Sequence, residues 1–547
     1  MKTALKSLLL IICFGLICSS SNAQLKQIET EHMRLVYFAG APAFLAPHVA
    51  RCFENSYRYH TKFWDYTPTE KILVAMYDVS DYGNAGALVT PDNRILFMIA
   101  PTSTAYETSP VNERVNTIMN HEMVHIVALD KATGSERFFR GLFSGKVQAI
   151  SDNPLSILYS HLTTPRRSSP RWYHEGIAVF METWMAGGIG RALGSYDEMV
   201  FRTMVLDNET FYDPVSLESQ GVYVDFQAGV NSYLYGTRFM SYLALMFGAE
   251  STIEWVSRED GSKSYYSSQF KNVYGRSLDN IWADWVDWEK KFQLENLDSI
   301  RQYPVTDYRD LSDKPLGSMS GAFYFEKTNK LYTAVNYPGQ VAHIAAIDIT
   351  TGAIDKVCDV KGAALYFVSS LALDTSSGTL FYTTDNGGWR DLRSIDLKSG
   401  KSQTLMKNVR AGDLAFDHTS KTLWGVRHFN GISTLTRFLP PYTDWDQVYS
   451  LPYGRDIYDL NISPDGKTLC AGMGEVSGRQ TLITMNIDRV LRGDTTHRTL
   501  YDFKLSVPAT FVFSPDGRYV YGSSYYTGVS NIFRYDFELD SMEALSN

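Results

Sequence analysis

His121-Glu122-Met123-Val124-His125 is the stretch of this sequence best equipped for chemistry. Residues four apart share one face of a helix, so both imidazoles can reach a single ion. Glu122 lies beside that ion and can take a proton from a water held there. Imidazole nitrogen suits zinc, and a catalytic zinc keeps three protein ligands and one open position. The spacing therefore predicts a Zn²⁺ site with His121 and His125 as ligands and Glu122 as general base. The chemistry expected of it is hydrolysis at a polarised carbonyl, with a peptide bond the best fit. The plainer alternative is a helix whose two histidines are surface or satisfied core residues.

A third ligand must come from another element. The segment Trp172-Tyr173-His174-Glu175-Gly176-Ile177-Ala178-Val179-Phe180-Met181-Glu182 offers two candidates, His174 and Glu175. Neighbours on a helix point about 100° apart, so both cannot coordinate comfortably. Glu182, seven residues after Glu175, returns to the same face. There it could orient a ligand histidine through the other ring nitrogen, or simply be a solvated helix residue.

Together these two segments resemble the gluzincin metallopeptidases, in the peptidase-MA-like branch. In that family a second helix carries W-x-x-E-G-x-A-x-x-x-E, and its first Glu is the third zinc ligand. Trp172, Glu175, Gly176, Ala178 and Glu182 match position by position. The resemblance covers roughly residues 28 to 297 and implies a zincin-like α+β domain with His121, His125 and Glu175 on the metal. One departure is the spacing. Here 49 residues separate His125 from Glu175, many more than in the aminopeptidase branch, and an insertion over residues 130–170 accounts for the excess. The aminopeptidases also carry G-x-M-E-N before the zinc helix. This chain has Gly86-Ala87-Leu88-Val89 and Pro91-Asp92-Asn93 there, with no Glu and no Met, which favours an endopeptidase. In the same family a Tyr opens a later helix three residues before a Gly. Asn231-Ser232-Tyr233-Leu234-Tyr235-Gly236 has that form. The resemblance thus implies that Tyr233 donates to the oxyanion. Tyr235, turned about 200° away, is its competitor, and the plainer reading makes both packing tyrosines.

The elements that must position these residues lie between residues 24 and 300, which read as mixed α/β. Apolar runs predict strands at Arg34–Tyr37, Ile72–Met76 and Ile95–Ile99. Helical periodicity covers Ala43–Phe63, Val111–Leu129, Trp172–Trp184, Ser232–Phe247 and Leu278–Leu297. Trp282, Trp285 and Trp288 form an aromatic stripe read as core. Residues 130–170, rich in Gly, Ser and Pro, read as a long insertion loop that could overhang the cleft.

From residue 305 to 547 the helical period disappears and a degenerate repeat replaces it. A turn precedes an apolar strand at Leu331, Leu380, Leu423, Leu469 and Val520, with spacings of 49, 43, 46 and 51. In the last two units the turn is Ser-Pro-Asp-Gly, which presets φ at Pro and gives Gly the strained exit. A period in the forties with several strands per unit is β-propeller arithmetic. These units resemble TolB-like and WD-repeat-like propellers, and imply at least five four-stranded blades. Residues 303–311 are expected to supply the outer strand that completes the last blade. Five units is a low count, so a further blade and a longer precursor are also expected.

The 547 residues are 44% hydrophobic and 20% charged, an ordinary multidomain globular balance. The net charge of −9, without a Lys/Arg cluster, argues against a nucleic-acid partner. Residues 1–23 read as an export signal: Lys2 and Lys6, the apolar run from Leu8 to Cys18, and Ser21-Asn22-Ala23 before Gln24. Removing that segment takes the charge to −11. Ile17 before Cys18 is a poor match to a lipid-attachment box. No later stretch is long and apolar enough for a membrane span. Cys52, Cys358 and Cys470 are too few and too dispersed for a disulfide framework. The combined expectation is an exported zinc metallopeptidase, in the periplasm, the outer envelope or secreted. Its substrate would be a peptide or protein, with the propeller recruiting substrate or a protein partner. The alternative is a non-catalytic envelope scaffold acting through the propeller.

Overall fold

A computed structural model describes residues 25–102, 113–219, 231–312, 315–337, 339–360 and 370–547. The export-signal segment lies outside the described residues. Among those described, no helix is long and apolar enough to cross a membrane.

The N-terminal region is built on one mixed sheet. Its strands are β1 (Leu25–Glu29), β2 (Met33–Phe38), β3 (Ile72–Tyr77), β4 (Asn84–Leu88) and β5 (Arg94–Met98), in the order β1-β2-β3-β5-β4. The central strands β2, β3 and β5 run parallel, and each edge strand pairs antiparallel. Met33, Leu35 and Tyr37 alternate inward on β2, as a half-buried strand requires. The sequence reading found the three central strands and missed both edges. β1 is mostly exposed and β4 is built from Asn, Ala and Gly, so neither shows an apolar run.

The helices of this region are α1 (Ala46–Phe63), α2 (Arg114–Asp130), α3 (Gly134–Leu142), α4 (Pro154–Thr163) and α5 (Arg171–Phe180), then α6 (Ser195–Leu206), α7 (Asn231–Phe247), α8 (Ala249–Val256), α9 (Tyr266–Tyr274) and α10 (Leu278–Ile300); α1 and α2 pack against the sheet. The expected insertion loop is therefore not a loop, because residues 130–170 hold α3 and α4. Thr133 and Glu136 form a capping box at the start of α3, and Pro154 opens α4. After α5, Met181–Met185 makes a π-helical turn that carries Glu182.

Helices α5 and α7 touch backbone to backbone. A Cβ placed on Gly176 would lie 2.6 Å from the Gly236 carbonyl carbon, and one on Gly236 would collide with the Trp172 carbonyl oxygen. Beneath this crossing Trp172, Phe239, Trp255, Trp282 and Trp285 pack edge to face in one buried cluster. Trp282 and Trp285 are core, as the stripe suggested.

Residues 318–544 form a five-bladed β-propeller. Blade one has β6 (Ser318–Met319) and β7 (Phe323–Phe325) sharing the inner position, then β8 (Lys330–Asn336), β9 (His343–Asp348) and β10 (Ile354–Asp359). The next blade contains β11 (Leu371–Asp374), β12 (Thr379–Asn386), β13 (Trp389–Asp396) and β14 (Ser402–Met406). Blade three contains β15 (Ala411–Asp417), β16 (Thr422–Phe429), β17 (Ile432–Phe438) and β18 (Asp446–Ser450). Blade four runs β19 (Asp456–Ile462), β20 (Thr468–Gly474), β21 (Gln480–Asn486), β22 (His497–Lys504), and blade five β23 (Ala509–Phe513), β24 (Tyr519–Ser524), β25 (Asn531–Asp536), β26 (Ser541–Ala544). Every repeat landmark falls on the second strand of its blade: β8, β12, β16, β20 and β24. In blades two to five Asp or Ser closes the preceding turn. Asp417 accepts from the Thr419 amide at 2.8 Å, and the Ser463 hydroxyl donates to Asp465 at 2.7 Å. Residues 303–311 do not supply the outer strand of blade five. β26 already fills that place against β25, and Thr306 of this segment instead exchanges two hydrogen bonds with Asn547, its amide donating to the carbonyl at 3.1 Å and its hydroxyl accepting from the amide at 3.0 Å.

The propeller grips the N-terminal region through its hairpin tips. Asp78 and Asp81, on the loop between β3 and β4, both accept from Arg410. Two guanidinium donors reach Asp78 at 2.7 and 3.0 Å, and Nε reaches Asp81 at 2.7 Å. Asp81 also accepts the Arg390 amide at 2.8 Å. Gly431, at φ +74, brings its hairpin within reach of Arg114, whose guanidinium donates to the Gly431 carbonyl at 2.5 Å. Tyr453 donates to Glu113, the residue that caps α2, at 2.5 Å.

Two stability outcomes follow from these contacts. Gly236→Ala should lower the thermal midpoint, with an overpacking cost of about 1–3 kcal/mol or more because the obstacle is backbone. Gly141→Ala in α3, where an added Cβ meets nothing within 4 Å, should be neutral or slightly stabilising. Equal midpoints for these two variants in a melting experiment would refute the backbone contact. Arg410→Ala takes the guanidinium away from Asp78 and the fully buried Asp81, leaving them the backbone amides of Asn430 and Arg390, which should cost about 3–5 kcal/mol. Limited proteolysis should then release the propeller from the N-terminal region faster than in the parent protein.

Candidate metal centre

The side chains singled out in the sequence converge at one place. α2 presents His121 and His125, and α5 presents Glu175. The two Nε2 atoms are 3.3 Å apart, and Glu175 Oε2 lies 3.4 Å from His121 Nε2 and 3.5 Å from His125 Nε2. Ligands about 2.0–2.1 Å from a tetrahedral ion are separated by roughly 3.3–3.4 Å, the edge of the tetrahedron. The three donor atoms thus already span one face of a zinc coordination sphere. Glu175 Oε2 is buried with no hydrogen-bond donor of its own, as an oxygen reserved for a cation would be. The group fits zinc by donor type and by spacing.

Glu182 stands behind this face. Its Oε2 lies 2.7 Å from His121 Nδ1, which fixes the ring and leaves Nε2 for the ion. His174, the rival third ligand, points elsewhere. It is buried outside the donor group, and burial, then the charge of His125, push its pKa down to about 4. Burial favours the neutral acid at Glu175, but its close neighbours His121 and His125 hold its carboxyl well below the usual range. Glu122 is enclosed beside them. Burial pushes its carboxyl up, and Oε2 has no partner.

The Gly176–Gly236 crossing sets Tyr233 beside Glu175. Its ring lies under two guanidinium groups, Arg171 at 5.5 Å and Arg191 at 4.6 Å. Burial first, then the charge of Glu175, push the Tyr233 hydroxyl up, so it keeps its proton. Tyr235 turns the other way, into the aromatic core against Trp282 and Trp285.

Sequence reasoning missed a second cluster. His48 Nε2 lies 3.2 Å from Glu113 Oε2, and Cys52 Sγ is 3.6 Å from His48 and 3.7 Å from Glu113. The signal was present, since His48 and Cys52 are four apart on α1. These donors are already used, however. Glu113 accepts from the Asn116 amide and from Tyr453. Burial and the charge of Glu113 push the Cys52 thiol up to about 12, so it stays a donor. The cluster ties α1, the cap of α2 and the propeller together.

No family model and no curated protein matches this chain. Among solved structures it is similar to TolB from Acinetobacter baumannii, at 12% identity and a TM-score of 0.36 over 42% of this chain and 54% of that one. A TolB from Agrobacterium tumefaciens matches at 12% identity and a TM-score of 0.34, over 42% of this chain and 80% of its own. An oligogalacturonate lyase in complex with manganese matches at 14% identity and a TM-score of 0.29, over 41% and 63%. The chain thus spans about half the length of the first of these. Such likenesses speak to fold alone, and the propeller itself is seen directly in the strand order.

The ligand assignment has a direct check. His121→Ala and Glu175→Ala should lose tight zinc, measured by metal analysis after dialysis. Glu182→Ala should weaken zinc affinity by roughly 10–100-fold, while His174→Ala should hold zinc like the parent. Zinc loss from His174→Ala with retention in Glu175→Ala would reverse the choice of third ligand.

Proposed function

We propose that this chain is an exported zinc-dependent metallopeptidase of the gluzincin type, cleaving within peptide or protein substrates. The observation that carries this reading is the triangle of His121, His125 and Glu175 donors, backed by Glu182 and flanked by a carboxylate that takes no part in it. When bound, zinc would supply a Lewis acid for the substrate carbonyl and for the attacking water.

The chain's own residues would do the rest. Glu122 Oε2, unpartnered and enclosed, accepts the proton of the attacking water and later delivers it to the leaving amine. A carboxyl pushed up by burial is better matched to that exchange near neutral pH than an exposed one. Glu182 holds the His121 ring in one orientation. Tyr233 keeps its proton and donates it as a hydrogen bond to the oxygen that gains charge. β4 supports a peptide substrate: among the described residues it is the last strand at its end of the sheet, and it packs against α2. An extended chain can add to such an edge through main-chain hydrogen bonds.

The test is hydrolysis of casein by zinc-loaded protein with and without a chelator. Glu122→Gln should keep its zinc and lose roughly 10²–10⁴-fold in turnover. Tyr233→Phe should lower kcat by roughly 10²–10³-fold with little change in zinc content or KM, and Tyr235→Phe should not. Full turnover in Glu122→Gln would sink the mechanism. A protein that holds zinc yet cleaves nothing would return the propeller, as a binding scaffold, to first place.

A further inference from the structure

The proposed metal centre has a cationic wall that the hydrolytic chemistry does not use. Arg171 opens α5, one turn before Glu175. Its backbone amide is fixed by Glu218 at 3.1 Å, and its guanidinium Nε lies 3.6 Å from Glu175 Oε1. The Arg171 side chain is 49% exposed, so its outer donors face solvent beside the donor triangle. Arg191 stands against the same Tyr233 ring, 4.6 Å from its centroid. Its acidic neighbour, Asp197, stands off at 3.9 Å and is enclosed, and burial pushes that carboxyl up to about 7. Two guanidinium groups thus stand beside one phenol next to a centre that would itself carry a divalent cation.

Among the described residues, Glu175 is the one acid within ion-pair distance of the Arg171 guanidinium. Glu175 is shared with His121 and His125, and Glu182 is bound to His121. Glu122 is the base. With a divalent ion in place, Glu175, the acid paired with the Arg171 guanidinium, would be committed to the metal, while Glu218 is engaged by the Arg171 backbone amide. A guanidinium offers two parallel donors that match a carboxylate.

We propose that Arg171, with Arg191 behind it, forms a subsite for a substrate carboxylate next to the scissile bond, making the preferred substrate an acidic peptide or a peptide ending in a free carboxylate. This rests on the metallopeptidase reading and adds the substrate class to it. Arg171 holds the carboxylate through its exposed donors. Tyr233, beside both guanidinium groups, offers its hydroxyl to the neighbouring carbonyl oxygen.

The experiment uses full-length Glu122→Gln protein loaded with zinc, so that peptide binds without turning over. Four N-acetylated alanine-based hexapeptides are titrated by calorimetry: free acid or C-terminal amide, each with Glu or Gln at the centre. At least a tenfold preference is expected for one carboxylate over its amide partner. The free-acid arm and the central-Glu arm separate a chain terminus from an acidic side chain as its source. Adding Arg171→Ala should collapse that preference toward one, and Arg171→Lys should restore only part of it, because the fork is lost. Zinc content is measured on each variant. A parent that binds zinc and peptide but treats carboxylate and amide alike would overturn the subsite alone. Loss of preference in Arg171→Ala accompanied by zinc loss, with Arg171→Lys keeping zinc and the full preference, would also overturn it, since charge near Glu175 would then suffice. A parent that binds no zinc would bring down the metallopeptidase reading and the subsite with it.

Discussion

The site depends on two helices that touch without side chains between them. Gly176 and Gly236 bring the backbones of α5 and α7 into direct contact. Glu175 stands one residue before the first glycine and Tyr233 three before the second, so the crossing point fixes both on the same side. Any Cβ at either glycine would push the helices apart, and interiors packed at crystal density have little room to absorb such a shift. The aromatic cluster beneath, with Trp172 and Phe239 on these two helices, makes the separation costly from the other side as well. Geometry to a fraction of an ångström at the donors is thus inherited from a steric constraint in the helix backbones.

The other helix of the site is held from its far end. Glu113 caps α2 and Arg114 opens it, and both are bound by the propeller, through Tyr453 and the Gly431 carbonyl. The Arg410 contacts with Asp78 and Asp81 bury charge on both sides. Burying paired charges adds little net stability, because desolvation offsets attraction, but mismatching them is expensive. Such an interface is better at fixing one relative placement than at gluing two bodies together. Here the placement reaches the start of the helix that carries His121 and His125. The Gly431 hairpin tip and the loop carrying Tyr453 therefore act as scaffold for the donor-bearing helix.

What the sequence made legible follows from how local each signal is. The spacing of His121 and His125 is a property of one helix, and the propeller landmarks are turn chemistry repeated five times. Both were readable without any tertiary contact. Glu175 and Glu182 were readable because a second local pattern, with Gly176 in it, states a packing requirement in residue types. The edge strands β1 and β4 were not, because an edge that is half solvated needs no apolar run. The helices of residues 130–170 were hidden by composition. Their start signals, Thr133 with Glu136 and Pro154, were present but outweighed by Gly, Ser and Pro around them. The second cluster was overlooked because Glu113 is far from His48 in sequence, and only the fold brings it to α1.

The two clusters also differ in what surrounds them, which bears on the proposed metal centre. Each has a carboxylate and two further donors, two of them four residues apart on a helix, with distances between about 3 and 4 Å. In the first, His121 Nδ1 is occupied by Glu182, so the lone pair on Nε2 is directed inward, and Glu175 Oε2 has no N–H or O–H donor from elsewhere in the chain. Donor capacity is left over, and it all faces one point. In the second, Glu113 is spent on a helix cap and a tyrosine, and the Cys52 thiol keeps its proton because burial and that same carboxylate oppose the thiolate. An ion entering there would have to displace hydrogen bonds that hold α2 and the propeller, and to deprotonate a thiol shifted upward. Proximity of ligand-type residues is common to both. The difference lies in the groups around them, which in one case use up the donors and in the other aim them.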